Sequence, residues 1–304
     1  MKRAVVPLLL SILLLPPAAG RAEAPPQEVP VAALASPPTV DGELQEWGDG
    51  GWVHVPIKPA VEKGERSKLG LDGPDRNNTG SITVQLKAGV AGGRFYLAAR
   101  WPDKTADTEY RPWRWDDDAY KQDKRQLDDM FAVRFNLGAD KDFDRSMLAM
   151  KEYRVDVWLW SAGRTNPAGL AEDMVHRISP QEIDDAQAYD IPGKGTVYIK
   201  KDRDAGGAIY RALPAPKKRE GDVRPQFTLT GNASGSATDV MAKGTWKGGY
   251  WNLEFSRKLA TGHPDDAAFK PGQKLLGQIA VFNRAELEHK SVSEPLLFDF
   301  SRIK

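Results

Sequence analysis

The chain has 304 residues, with 43 basic against 42 acidic side chains, so no basic excess points to nucleic acid. Cysteine is absent, which excludes a disulfide framework, a thiolate-held iron–sulfur cluster and covalent haem attachment through Cys-x-x-Cys-His.

Residues 1–24 read as a secretory signal peptide. Lys2 and Arg3 form a charged start, Val5 to Leu15 an apolar run, and small residues follow. Residues 25–38, rich in Pro and Ala, read as an extended linker, and 39–304 as one domain. No later segment has the roughly 18 or more apolar residues of a membrane helix.

From Val40 the texture becomes that of short strands. Trp52 to Ile57 alternates, and Val61 to Gly80 is charged and Gly-rich, hence a surface loop. Ser81–Ala88 and Arg94–Trp101 alternate around a Gly-rich turn at 89–93, the pattern of a hairpin. Asp128 to Phe135 and Tyr153 to Trp160 are further strands, the second with Trp158 and Trp160 on one face. Ala171–Arg177 and Pro180–Ala188 carry weak helical periodicity, and most of Ser161–Thr238 reads as a long loop excursion. A second hairpin, Asp239–Trp246 and Tyr250–Arg257, turns at Lys247-Gly248-Gly249; strands at Gln273–Asn283 and Leu296–Phe300 close the chain. Roughly nine strands with hairpin links and no βαβ alternation predict an all-β fold, an antiparallel β-sandwich with long loops and one or two short helices.

Met147 and Met150 lie just upstream of the Trp158 strand, and His289-Lys290 sits in a loop between two late strands. A thioether and a nitrogen donor are a ligand set for haem iron, although methionine beside a strand is more often core filler. His289 and Lys290, being adjacent, face opposite sides. Arg164, Arg257 and Arg284 are candidate partners for acidic groups. Asp116-Asp117-Asp118 and Asp265-Asp266 resemble calcium ligands only in clustering; no Asp-x-Asp-x-Asp-Gly loop is present, so solvated acidic loops are favoured. No Gly-x-Ser-x-Gly elbow, His-Glu-x-x-His motif or P-loop occurs, and the four histidines make no recognisable metal set, so the chain reads as non-catalytic.

The order Val40-Asp41-Gly42, Trp101-Pro102-Asp103-Lys104-Thr105, Asp128-Asp129-Met130-Phe131-Ala132, Asp156-Val157-Trp158-Leu159-Trp160, Ala242-Lys243-Gly244-Thr245-Trp246, Phe255-Ser256-Arg257-Lys258-Leu259 and Ile279-Ala280-Val281-Phe282-Asn283 through Lys290-Ser291-Val292-Ser293 resembles the haem-binding domain related to the ethylbenzene dehydrogenase gamma subunit. The resemblance covers essentially the whole chain after residue 39. It implies a fold like a carbohydrate-binding module and a non-covalent haem b held by one Met and one Lys. It also implies a periplasmic electron-transfer role beside a redox partner, such as a molybdenum-enzyme complex or a cytochrome. Carried onto this sequence it gives Met150 and Lys290 as iron ligands, with Met147 and His289 as alternatives, and Trp158, Trp160, Arg164 and Arg257 around the haem. Lys151 stands where many gamma subunits have glycine after the ligating methionine. A competing reading is a carbohydrate- or surface-binding sandwich that stacks ligands on Trp47, Trp52, Trp113 and Trp115.

Overall fold

The computed structural model describes residues 25–304; the signal-peptide reading of 1–24 lies outside them. Fourteen strands form one continuous sheet that folds over into two layers. They are β1 (Gln27–Ala33), β2 (Val53–Pro59), β3 (Ile82–Ala91), β4 (Arg94–Pro102), β5 (Met130–Asn136), β6 (Tyr153–Ser161) and β7 (Glu172–Ser179). The remainder are β8 (Gln187–Ile191), β9 (Gly195–Arg203), β10 (Met241–Lys247), β11 (Tyr250–Lys258), β12 (Lys274–Phe282), β13 (Ser291–Ser293) and β14 (Leu296–Asp299). Hydrogen-bonded order runs β8-β9-β7-β6-β5-β12-β13-β2-β3-β4-β11-β10, with β1 and β14 bridging the layers. Helical structure among the described residues is confined to three-residue 3-10 turns, such as Asn166–Ala168.

The sandwich interior follows from alternation. Phe131, Val133 and Phe135 of β5, Trp158 and Trp160 of β6 and Ile279 and Val281 of β12 point one way; Leu86 of β3, Phe95, Leu97 and Trp101 of β4 and Leu253 and Phe255 of β11 meet them. Their rings pack edge-on and tilted, Phe135 to Trp158 at 5.0 Å and Trp160 to Trp251 at 5.0 Å between centroids. Such pairs add about 0.5–1.5 kcal/mol beyond simple burial.

Three expectations change. Residues 25–38 are not merely a linker, because β1 pairs in parallel with β14 through Gln27 to Pro30 and with β3 through Val31 to Ala33, burying Val29 and Val31. Pro25 and Pro26 before it and Pro30 within it hid a strand whose buried residues are only Val29 and Val31. The helical readings at 171–177 and 180–188 are corrected: the first is β7, and the second is a turn leading into β8. β7 is covered on both faces, so seven of its eight residues are buried and the period-2 pattern is masked. The first hairpin turn narrows to Gly92-Gly93, both left-handed (φ 54° and 72°), while Gly89 continues the strand. Gly89 is needed for close approach, since a Cβ there would lie 2.5 Å from Leu34 Cγ.

Candidate functional site

The layer β9-β7-β6-β5-β12-β13 has a second face, turned away from the sandwich interior. The residues on it are the other half of each alternation: Met130, Ala132 and Arg134 of β5, Val157 and Leu159 of β6, Glu172, Met174 and His176 of β7, Lys201 and Arg203 of β9, Gln278, Ala280 and Phe282 of β12, and Val292 of β13. Cross-strand register aligns them in rows. Lys201 pairs with His176, Val157 with Met174 and Arg134, and Ala132 with Leu159 and Ala280. Loops roof this face at Ala60-Val61, Tyr110, Arg145 to Leu148, Tyr210 and Glu286 to Lys290, enclosing a cavity of about 400 Å³. That size is within the range of small-molecule and cofactor sites.

Lys290 reaches into this cavity from the loop before β13. Its Nζ donates to Leu287 O at 2.6 Å and lies 5.4 Å from the Phe282 ring centroid. Arg284 and Leu287 hold the loop with left-handed backbone (φ 47° and 58°), a local cost tolerated at sites whose surroundings over-determine them. Lys290 is half-buried by accessible surface, and its side chain lies among the cavity-lining residues. Burial, with help from Lys201 and Arg134 and against Glu288, pushes the amine down to about 7.

His176 is the second nitrogen on this face. Its Nε2 is buried without a hydrogen-bond partner among the described residues, and burial holds the imidazole well below the usual histidine range, aided by Lys201, Arg134 and Lys290. A neutral ring with an orphaned nitrogen is normally a sign of a missing partner. Lys201 also has its charged form disfavoured by burial.

The rim is polar and mostly paired. Arg203 lies 2.7 Å from Glu172, which also accepts from Tyr210 Oη at 2.9 Å. Tyr110 Oη donates to Glu286 at 2.9 Å, and Arg111 pairs with the same carboxylate. Arg145 donates to Pro59 O at 2.8 Å and lies 3.3 Å from Glu294. The cavity lining holds six lysines and arginines (134, 145, 164, 201, 203, 290) against three glutamates (172, 286, 288), so its field favours an anionic guest.

The sequence candidates divide sharply. Lys290, Met147 and Arg164 line the cavity. Met150 lies outside the lining, packed in the cluster with Ile191 and Val197, its methyl 3.5 Å from where a Cβ on Gly195 would stand. His289 is held in its loop, Nδ1 accepting from Arg76 N at 3.2 Å. Trp158 and Trp160 are fully buried in the sandwich interior, on the opposite face of β6 from Val157 and Leu159. Arg257, also fully buried, is tied to Asp156 at 2.8 Å and stacks 4.8 Å from the Trp158 ring. The aromatic wall read from β6 is therefore core, and the short aliphatics between its tryptophans face the cavity. His176, Met174 and Lys201 went unread as site residues because the strands that carry them lay in segments taken for helix and loop, and Met130 because its strand was read only for its place in the sandwich.

The tryptophans of the competing reading do not form one platform. Trp47 is buried, donating to Glu254 at 2.7 Å, while Trp52, Trp113 and Trp115 each bond a nearby backbone carbonyl.

A search of solved structures returns, among others, a candidate carbohydrate-binding protein from Bacteroides uniformis ATCC 8492, at 7% identity and a TM-score of 0.41, covering 90% of this chain and 100% of that one. The search of curated proteins gives no match. The family model described as ethylbenzene dehydrogenase matches residues 45–293, a span that includes β2 to β13 and every residue lining the cavity, and the chain therefore belongs to the ethylbenzene dehydrogenase family.

Proposed function

We propose that this chain is a haem b protein that passes electrons within a redox complex, with Lys290 and Met147 as the iron ligands. The observation that carries this reading is the amine of Lys290, desolvated in the same cavity as the Met147 thioether. A lysine binds a metal only as its neutral amine, and a group titrating near 7 gives up its proton far more readily than one at about 10.4. Met147 replaces Met150 in this assignment because it borders the cavity and Met150 does not.

The residues present suit the group. Val157, Leu159, Ala280, Phe282 and Val292 offer apolar walls for a flat macrocycle, and the absence of cysteine requires non-covalent binding. The Lys201 side chain makes no hydrogen bond or ion pair among the described residues, so a propionate is its natural partner, with Arg164 and Arg203 nearby in the lining. When bound, haem supplies a one-electron iron couple. The chain's part is to hold the ligands, exclude water and balance the charge. The redox partner is proposed to be a molybdenum-enzyme complex or a cytochrome, met in the periplasm after export through residues 1–24.

Protein purified from haem-sufficient cells is expected to show a low-spin b-type visible spectrum. Lys290→Ala, Lys290→Arg and Met147→Ala should each lose it, since arginine does not deprotonate in proteins; Met150→Ala and His289→Ala should keep it. A colourless protein that also refuses added haem overturns the reading, and loss of the spectrum in Met150→Ala but not in Met147→Ala overturns the choice of methionine.

A further inference from the structure

A second cluster of ionisable groups lies at the end of the sheet where β9 gives way to the following loop, outside the cavity lining. At its centre is Arg257 of β11. Its Nη1 lies 2.8 Å from Asp156, 3.1 Å from Asp266 and 3.4 Å from Asp173, and Nη2 donates to Ala267 O at 2.6 Å. Asp204, just after β9, is joined to this group through its amide, which donates to Asp173 O at 3.2 Å. Asp265 stands beside Asp266 in the loop between β11 and β12. Three carboxylates thus share one guanidinium, and Asp204 and Asp265 stand beside them with no cation of their own among the described residues.

The imbalance is visible atom by atom. Asp204 is 7% exposed; its Oδ2 accepts from Ser236 Oγ at 3.1 Å, and its Oδ1 has no hydrogen-bond partner among the described residues. Asp156 Oδ1 and Asp173 Oδ1 are likewise buried and unpartnered. Asp204, Asp265 and Asp266 each bring a carboxylate oxygen within 4.8 Å of the other two. An unpaired carboxylate oxygen so deeply buried is costly unless a cation or a proton meets it.

We propose that Asp204, Asp265 and Asp266 form a binding site for a divalent cation of the calcium class. The donors are all carboxylate oxygens, which suit a hard cation that completes its shell with water. Half-buried Asp265 gives the ion a route from solvent, while Arg257 behind the site is shared among Asp156, Asp173 and Asp266 and leaves net negative charge there. The neighbouring set Asp239, His263 and Asp266 is a weaker claim on an ion, because His263 Nδ1 already lies 3.1 Å from Asp239. The alternative to a cation is protonation: burial and the charges of Asp265 and Asp266 push Asp204 up to about 7. The acidic pair read from the sequence as a solvated loop is thereby half of a site, and the other half, Asp204, comes from a strand end some sixty residues earlier.

The test uses the whole protein, treated with EDTA and dialysed, then titrated calorimetrically with calcium chloride near neutral pH and followed in parallel by thermal unfolding. One saturable site is expected, with a rise in Tm as calcium is added. Asp265→Asn should weaken binding about tenfold or more, and Asp118→Asn, in the exposed acidic run 116–118, should leave it unchanged. Asp265 makes no hydrogen bond among the described residues, so its substitution leaves the Arg257 network in place. Absence of saturable binding, or equal affinity in Asp265→Asn, overturns the proposal in favour of protons. Zinc binding that is abolished by His263→Ala, with no response to calcium, overturns it in favour of the histidine set.

Discussion

Arg164 and Asp128 form an ion pair at 3.2 Å in which the carboxylate is fully buried and the guanidinium stacks 4.1 Å from the Tyr110 ring. Asp128 also accepts from Gly163 N at 3.1 Å and from Arg164 Nε at 3.2 Å, so the pair fixes the start of β5 to the end of β6. Arg164 lines the cavity while Asp128 stands behind it. The rim cation is therefore positioned before any ligand arrives.

Removing one member of a buried pair leaves the other uncompensated, at a cost of about 3–5 kcal/mol. Asp128→Ala is expected to destabilise by that order in urea unfolding. Combining it with Arg164→Leu should cost less than the two single changes added together, because the stranded charge is then gone. Strict additivity in the double-mutant cycle would show that the two groups do not interact.

Asn166 clamps two layers at the far end of β6. Its Oδ1 accepts from Trp160 Nε1 at 3.0 Å and from Gly244 N at 2.8 Å, and its Nδ2 donates to Gly244 O at 3.0 Å. Gly244 must be glycine, since a Cβ there would lie 2.5 Å from Trp160 Cζ2. Asn166→Ala strands these buried partners and is expected to cost about 1–3 kcal/mol for each donor left unpaired. Gly244→Ala should cost about 1–3 kcal/mol by overpacking. Unfolding free energies within error of wild type for both would refute the clamp.

Deleting residues 25–34 tests the strand that reads as a linker. Val29 and Val31 are fully buried, and losing each removes about 1.5–3 kcal/mol of apolar burial. The deletion also frees the edges of β14 and β3 that β1 now covers, an aggregation hazard. A lower Tm and concentration-dependent light scattering are expected; an unchanged melting curve would return this segment to linker status.

Much of the fold was legible because two hairpins announce themselves. β3-β4 and β10-β11 pair as hairpins that turn on Gly92-Gly93 and Gly248-Gly249, where left-handed backbone requires glycine. Lys290 was legible as a candidate through the family pattern, and the structure brings it to the cavity. The rest of the site was not, for a geometric reason. The cavity is built on the outer face of a layer whose inner face is already core, so β7 and β12 are apolar or buried at nearly every position and offer no polar stripe to read. Met147 and Met150 are three residues apart in a loop, and their directions depend on turns that no periodicity reports. Trp158 and Trp160 misled for the opposite reason: their size made the inner face of β6 look like the functional one.

The pH dependence of stability gives the most direct reading of Lys290 without any ligand. Its amine, pushed down to about 7, shares the cavity with His176, Lys201, Arg134 and Glu288, so the folded state disfavours another positive charge there. In the unfolded chain the same amine titrates at its ordinary value of 10.5. Between these limits the unfolded state holds the extra proton, so this group makes folding stability rise with pH, by at most about 1.4 kcal/mol per pH unit. Its full contribution is present above the unfolded value, is lost as pH falls through the folded one, and does not return below it. Raised carboxyl groups such as Asp204 and Glu254, both pushed up to about 7, titrate below this window and act in the opposite direction. Lys290→Met removes the titrating group and leaves those others in place. Haem-free wild type and Lys290→Met should therefore differ most in urea-unfolding free energy near pH 7, with the variant the more stable, and converge as pH approaches 10.5. Parallel curves across that range would mean that the Lys290 amine stays solvated and charged in the folded protein, and the ligand assignment would lose its physical basis.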